Sequence, residues 1–152
     1  MQDSERIALI IEAVKYCRHV MGLGMPRQCF SKALREPIHF LWEIRHGPKK
    51  KVAKYCSVNA SQSNGGAGSL VYDHSIPFRY LQNHLLALGE INHDIVRSAL
   101  EHFTGACLIT KAEDQLLQRG GLAYKMPEDW DGADPLARYK AVGIEVVDNE
   151  MT

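Results

Sequence analysis

The chain has 152 residues, enough for one domain with a core of its own. Apolar residues make up 45% and charged residues 24%, close to the globular average, which excludes a disordered or fibrous chain. Eighteen basic residues balance eighteen acidic ones, so attachment to nucleic acid by bulk charge is excluded and any phosphate contact must be local.

Behind a polar start at Asp3 and Ser4, the residues Ile7, Ile10, Ile11, Val14, Cys17, Val20 and Met21 recur at helical spacing, with Gly22 and Gly24 after them. That pattern predicts an amphipathic first helix. The same opening, MQDSERIALIIEAVKYC, carries acid early and lacks the basic, apolar and small-residue order of a secretion signal. Residues 31–46 repeat the helical pattern with Leu34, Ile38, Leu41, Trp42 and Ile44. Pro37 should break or restart this helix, because proline has no N–H and crowds the preceding turn; Gly47 and Pro48 then stop it. HGPKKKVAK concentrates Lys49, Lys50, Lys51 and Lys54 with no carboxylate among them. It is either a nucleic-acid-binding patch, with His46 near the phosphate, or a solvated basic turn after a helix.

VAKYCSVNASQ satisfies neither period cleanly and its type stays open. SNGGAGS, residues 63–69, reads as a turn, and LVYDHSIP as a strand leaving it. Phe78 to Leu88 is helical, with Leu81, Leu85 and Leu88 on one face and Gly89 closing it. Asn92 is a good N-cap for a second helix, HDIVRSALEHF, which turns Ile95, Ala99, Leu100 and Phe103 to the core. Ala106 to Ile109 is a short apolar strand that gives way at Thr110, where Thr110 and Glu113 form a T-x-x-E capping box for a helix ending at Gly120. Met126-Pro127 and Asp131-Gly132 mark loops. Asp134 caps a last helix with Pro135 at its first position and Gly143 at its end, and Ile144 to Val147 is a candidate final strand. Arg138 and Tyr139 on that last helix read equally as surface contacts or as packing.

Cys17, Cys29, Cys56 and Cys107 stand too far apart for a Cys-x-x-Cys knuckle, so no structural zinc is expected; reduced thiols in a cytoplasm fit best. No stretch approaches eighteen consecutive apolar residues, so no membrane partner is expected. The chain has no G-x-S-x-G elbow, P-loop, G-x-G-x-x-G or H-E-x-x-H. His39, His84, His93 and His102 read as helix-surface or core residues.

The middle of the chain runs from a strand ending in Asp73-His74, through an insert, to a short strand and a capped helix with acidic first turns. Asp73-His74 is either a turn device before Pro77 or the start of a site that grips a metal and activates water. D-H-x-I-P, in Asp73, His74, Ile76 and Pro77, followed by L-I-T-x-x-E-D from Leu108 to Asp114, resembles the HNH nuclease motif. It is most similar to the HNH domain of CRISPR effector nucleases, over Ser69 to Arg119, about a third of the chain. The resemblance implies an α+β, mostly helical fold: two short strands and a helix of the ββα-metal (HNH-like) type, with added helices at both ends and between the strands. It divides a single domain, 1–152, into a helical N-terminal part at 1–62, an HNH-like core at 69–119, and a loop, helix and strand at 120–152.

By that resemblance Asp73 is a carboxylate ligand of Mg2+ or Mn2+, His74 is the general base, and Asp114 is the last ligand, with Glu113 and Gln115 as alternates. Hard oxygen ligands and a neutral imidazole suit a cation that screens charge developing on phosphate. If Glu113 reaches back to the Thr110 N–H, its carboxylate is occupied and Asp114 is the freer acid. The chain departs from the family pattern in three ways. Its motif halves are 40 positions apart, from His74 to Asp114; bracing cysteine pairs are missing; and the third ligand position is acidic or amide rather than Asn or His. Two functions follow. One is a metal-dependent endonuclease that cleaves nucleic-acid phosphodiesters, DNA foremost. The other is a non-enzymatic microbial or phage regulator or inhibitor that binds a macromolecular partner, a protein included, on an HNH-like scaffold.

Overall fold

The computed structural model describes residues 1–63 and 69–150; the glycine-rich turn expected at 63–69 falls, from 64 to 68, outside the described residues. In chain order the elements are α1 (Asp3–Gly22), α2 (Arg27–Ile38), a π-helical turn (His39–Glu43), α3 (Lys49–Val52), β1 (Tyr55–Ser57), α4 (Val58–Ser61), β2 (Leu70–His74), α5 (Phe78–Leu86), α6 (His93–Phe103), β3 (Ala106–Thr110), α7 (Lys111–Arg119), α8 (Ala137–Ala141) and β4 (Val146–Asp148). The protein is α+β, with a four-stranded mixed sheet in the order β2-β3-β1-β4. The chain divides into two compact units, each made of two segments: Met1–His46 with Phe78–Phe103, and Gly47–Pro77 with Thr104–Thr152. This division crosses the expected segments at 1–62, 69–119 and 120–152, because α5 and α6 bury their apolar stripes with α1 and α2.

The first unit is wholly helical. Ile7, Ile10, Ile11, Val14, Cys17 and Val20 of α1 meet Phe30, Leu34 and Ile38 of α2, Leu81 and Leu85 of α5, and Val96, Ala99 and Leu100 of α6 in one apolar cluster. Of the predicted α1 stripe only Met21 stays exposed, one position past the buried row. Pro37 neither breaks α2 nor restarts it. The helix runs through the proline and then widens into the π-helical turn, where the Ile44 N–H reaches back to the His39 carbonyl at 3.1 Å. A proline that withholds its own helical bond makes such a wider turn a cheap local solution. Arg45 closes this stretch. Its guanidinium lies 3.6 Å from the centre of the Trp42 ring and its Nε donates to Asp3 at 3.0 Å. Asn92 caps α6 as expected, accepting from the Ile95 N–H at 2.9 Å.

The second unit is built on the sheet. β2 and β3 are antiparallel, with Asp73 opposite Cys107 and Tyr72 opposite Leu108; β1 runs parallel to β3, and β4 antiparallel to β1. The segment left open by its mixed period thus holds β1 and the short α4. One face of the sheet carries Val71, Cys107, Ile109 and Tyr55, which pack with Leu117 of α7, Leu122, Tyr139 of α8 and Ile144. The other carries Leu70, Tyr72, Cys56, Ala106 and Leu108 with Ala53 and Ala60. The expected Thr110–Glu113 box is present on α7: the Glu113 N–H donates to Thr110 Oγ1 at 3.1 Å and the Thr110 N–H to Glu113 Oε1 at 2.9 Å. α8 is shorter than the run from Asp134 to Gly143. Asp134 caps the turn before it, accepting from the Leu136 N–H at 2.9 Å.

Candidate nucleic-acid interface

Side chains alternate along a strand, so neighbours on β2 point to opposite faces of the sheet. Asp73 therefore shares the face of Cys107 and Tyr139. His74 shares the other with Tyr72, whose ring it meets edge-on at 5.6 Å. The residues joined in sequence as a ligand and its base are thus separated by the thickness of the sheet.

Asp73 is already engaged. Arg138 Nη1 donates to its Oδ2 at 2.9 Å, and the Tyr139 hydroxyl donates to the same oxygen at 2.5 Å. Arg138 has no exposed surface. Its remaining donors go to main-chain carbonyls: Nε to Leu122 at 2.7 Å, Nη1 to His74 at 2.8 Å, and Nη2 to Ala123 at 3.3 Å. A planar guanidinium with five fixed donors can hold the end of β2 and the loop at Leu122 and Ala123 at once in this way, which a lysine cannot. Burial, and next the Asp73 charge, raise the pKa of Tyr139 well above its ordinary 10.0, so the phenol stays protonated and keeps donating. The same two causes raise the Cys107 thiol beside it.

The helix acids are placed just as firmly. Glu113 is buried, and beyond its capping bond it accepts from Ser57 Oγ at 2.6 Å and from Asn59 Nδ2 at 3.3 Å. Ser57 Oγ in turn accepts from the Ala60 N–H at 3.0 Å, so one carboxylate ties the start of α7 to the start of α4. Asp114 accepts from Gln118 at 2.9 Å and Gln115 from Arg119 at 3.2 Å, each one turn along the surface of α7. Within either unit, among the described residues, no three His, Cys, Asp or Glu donor atoms lie within 4.8 Å of one another. Asp73 and Asp114, expected to hold Mg2+ or Mn2+ with His74 alongside, do not gather around one point. The guanidinium already neutralises Asp73 and, with the Tyr139 hydroxyl, engages its Oδ2.

Lys49 and Lys50 lie on the other face. α3 lies over the sheet so that the Lys49 ammonium stands 5.5 Å from the centre of the Tyr72 ring, within cation–π range. Lys49 and Lys50 line a hollow of about 360 Å³ with Leu70, Tyr72 and Leu108. Lys50, Leu70 and Leu108 also line a larger hollow of about 620 Å³, which continues past Cys56 and Ala60 to Asp148. Asn149 also lines it: Nδ2 donates to the Lys50 carbonyl at 3.0 Å and to Ala53 at 2.8 Å, which pins the lysine turn to the end of β4. Lys51 and Lys54 are exposed on the same short segment.

Comparison of the chain with protein-family models, with curated proteins and with solved structures found no match. The residues that organise the site from behind are Arg138 and Tyr139. Their one sequence signal is an arginine beside a tyrosine on a short capped helix, and it does not disclose partners 65 and 66 positions away. No helix of the described residues is long and apolar enough to cross a membrane.

Proposed function

We propose that the protein binds nucleic acid on the sheet face that carries Tyr72, Leu70 and Leu108, and that Asp73 serves architecture rather than metal ligation. The observation that carries this reading is the placement of Lys49 and Lys50 in the same hollow as Tyr72. Ammonium groups neutralise phosphate and release its counterions, while an aromatic ring on a sheet offers every base a surface to stack on. The zero net charge of the chain suits a local patch of this kind and not a whole-surface attraction.

Cleavage on an HNH-like scaffold is the second reading. It is favoured by the antiparallel β2–β3 pair followed at once by α7, the ββα order, and by His74 lying on the same sheet face as Tyr72. Fold order alone does not carry activity, and Asp73 is committed elsewhere.

The two readings part in one experiment: fluorescence anisotropy of a labelled oligonucleotide with wild type and with Lys49→Ala/Lys50→Ala, over a salt series, with and without Mg2+ or Mn2+. Binding that weakens in the double variant, with the salt slope reduced by about 0.7–0.9 for each lysine in contact, is the expected result. Equal binding by both proteins would sink the interface. Scission that needs the metal and is lost in His74→Ala would instead establish the nuclease.

A further inference from the structure

The first helix of the helical unit keeps a row of large apolar side chains on its outer side. Leu9, Tyr16 and Leu23 stand seven positions apart, so they follow one line along α1 that drifts by only about 20° per step. Leu23 caps the helix in the same right-handed helical conformation, which carries the line to its end. The three are 47%, 50% and 74% exposed and lie away from the buried row that begins at Ile7 and Ile10. A scattered exposed leucine needs no partner, but a row at seven-residue spacing marks the contact line of a helix pair.

The charges beside the row identify the partner. The exposed side of α1 is acidic in its first half, through Glu5 and Glu12, and carries Lys15 and His19 in its second. We propose that this face docks a second copy of the chain, α1 against α1, antiparallel about a two-fold axis near Ala13. That arrangement sets Glu12 opposite Lys15 of the second copy and Leu9 opposite its Tyr16, and the two-fold axis forms each contact twice. A parallel copy would set Glu12 against Glu12 and Lys15 against Lys15, which repel, and nucleic acid would be repelled by the acidic half. Within one copy Lys15 meets Glu12 at 3.5 Å with both side chains well exposed, a pair worth little that exchanges readily for one across the contact. One helix of 20 residues from each copy buries less than the roughly 1,600 Å² of a standard interface, so the dimer is weak, with Kd on the order of 10–100 μM. This surface is separate from the lysine hollow and does not depend on the nucleic-acid reading.

Sedimentation velocity of the full chain from about 1 to about 500 μM brackets a contact of this strength. The wild type should pass from monomer to dimer as concentration rises, whereas Leu9→Ser/Tyr16→Ser, which changes two exposed positions and leaves the core intact, should stay monomeric. Glu12→Lys and Lys15→Glu should each weaken association by about tenfold, because each sets like charges opposite one another across the contact. The double reversal Glu12→Lys/Lys15→Glu should restore it, since an antiparallel pair then meets opposite charges again; recovery also shows that the single variants lost a contact and not their fold. A wild type that sediments as a monomer throughout overturns the proposal. So does a serine variant that associates as well as the wild type, or a double reversal that associates no better than the single ones.

Discussion

The two units solve stability differently. The first has an apolar core drawn from four helices, with Gln82 the one polar residue among its buried described residues. The second has strands of three to five residues and two small apolar clusters, and it places an arginine, a glutamate and an asparagine among its buried residues. Short strands bury too little apolar area to fix their own register, so the polar groups specify which loop meets which strand. Each of the three is bonded to several partners, as buried polar groups require. A helical unit tolerates substitution wherever volume is kept; a unit clamped by buried polar groups depends on each partner.

The largest expected effect follows from removing the clamp. Arg138→Ala leaves Asp73 with Tyr139 alone and strips the guanidinium from the carbonyls of His74, Ser75, Leu122 and Ala123, and should cost about 3–5 kcal/mol. Hydrogen exchange should rise in β2, β3 and α8 while the α1 and α6 amides keep their protection. A loss below about 1 kcal/mol in chemical denaturation would show that the guanidinium is not what holds the unit. Next comes Leu100→Ala in the helical unit, where a fully buried side chain leaves a cavity; about 3 kcal/mol is expected, within the usual range of roughly 2–5. Replacement by methionine, which keeps the volume, should cost less than about 1.5 kcal/mol and so separate the two kinds of core.

Thr110→Ala tests the local layer of the sheet unit. It removes the cap of α7 and should cost about 1 kcal/mol, read from the denaturation midpoint. The last test is alkaline, and its size grows with pH. Burial raises Cys56 and Cys107 above the ordinary 9.0 and, with Asp73, Tyr139 above 10.0, whereas the helical unit holds one such group, Cys17. These groups stay protonated in the fold while the unfolded chain begins to ionise. Their contribution is therefore complete below pH 9 and declines as pH rises beyond it, by at most about 1.4 kcal/mol per pH unit for each group. A thermal-melt series from pH 8 to 10.5 should show the decline, and Cys107→Ala should flatten it; a flat wild-type profile would contradict the linkage.

Local chemistry was legible in the chain. The α1 stripe, the Asn92 cap and the Thr110–Glu113 box each depend on residues within one or two turns of one another, so spacing alone specifies them. β1 was not, because three residues show no period and its pairing comes from β3 and β4. The π-helical turn also escaped, since the consequence of Pro37 depends on how the next turn packs around Trp42.

The candidate site divides along the same line. Four lysines in six positions are visible as a patch in the sequence, but the company of Lys49 and Lys50 with Tyr72 and Leu108 is made by folding the sheet. Asp73 and His74 are neighbours in sequence and read there as partners. Strand alternation sends them to opposite faces, and Arg138, 65 positions on, claims the carboxylate. The sequence by itself determined the longer helices, the caps of α6 and α7 and that positive charge concentrates after Gly47. Only the tertiary structure decided which face of the sheet each polar group serves, because that depends on register and on partners brought together across long stretches of chain.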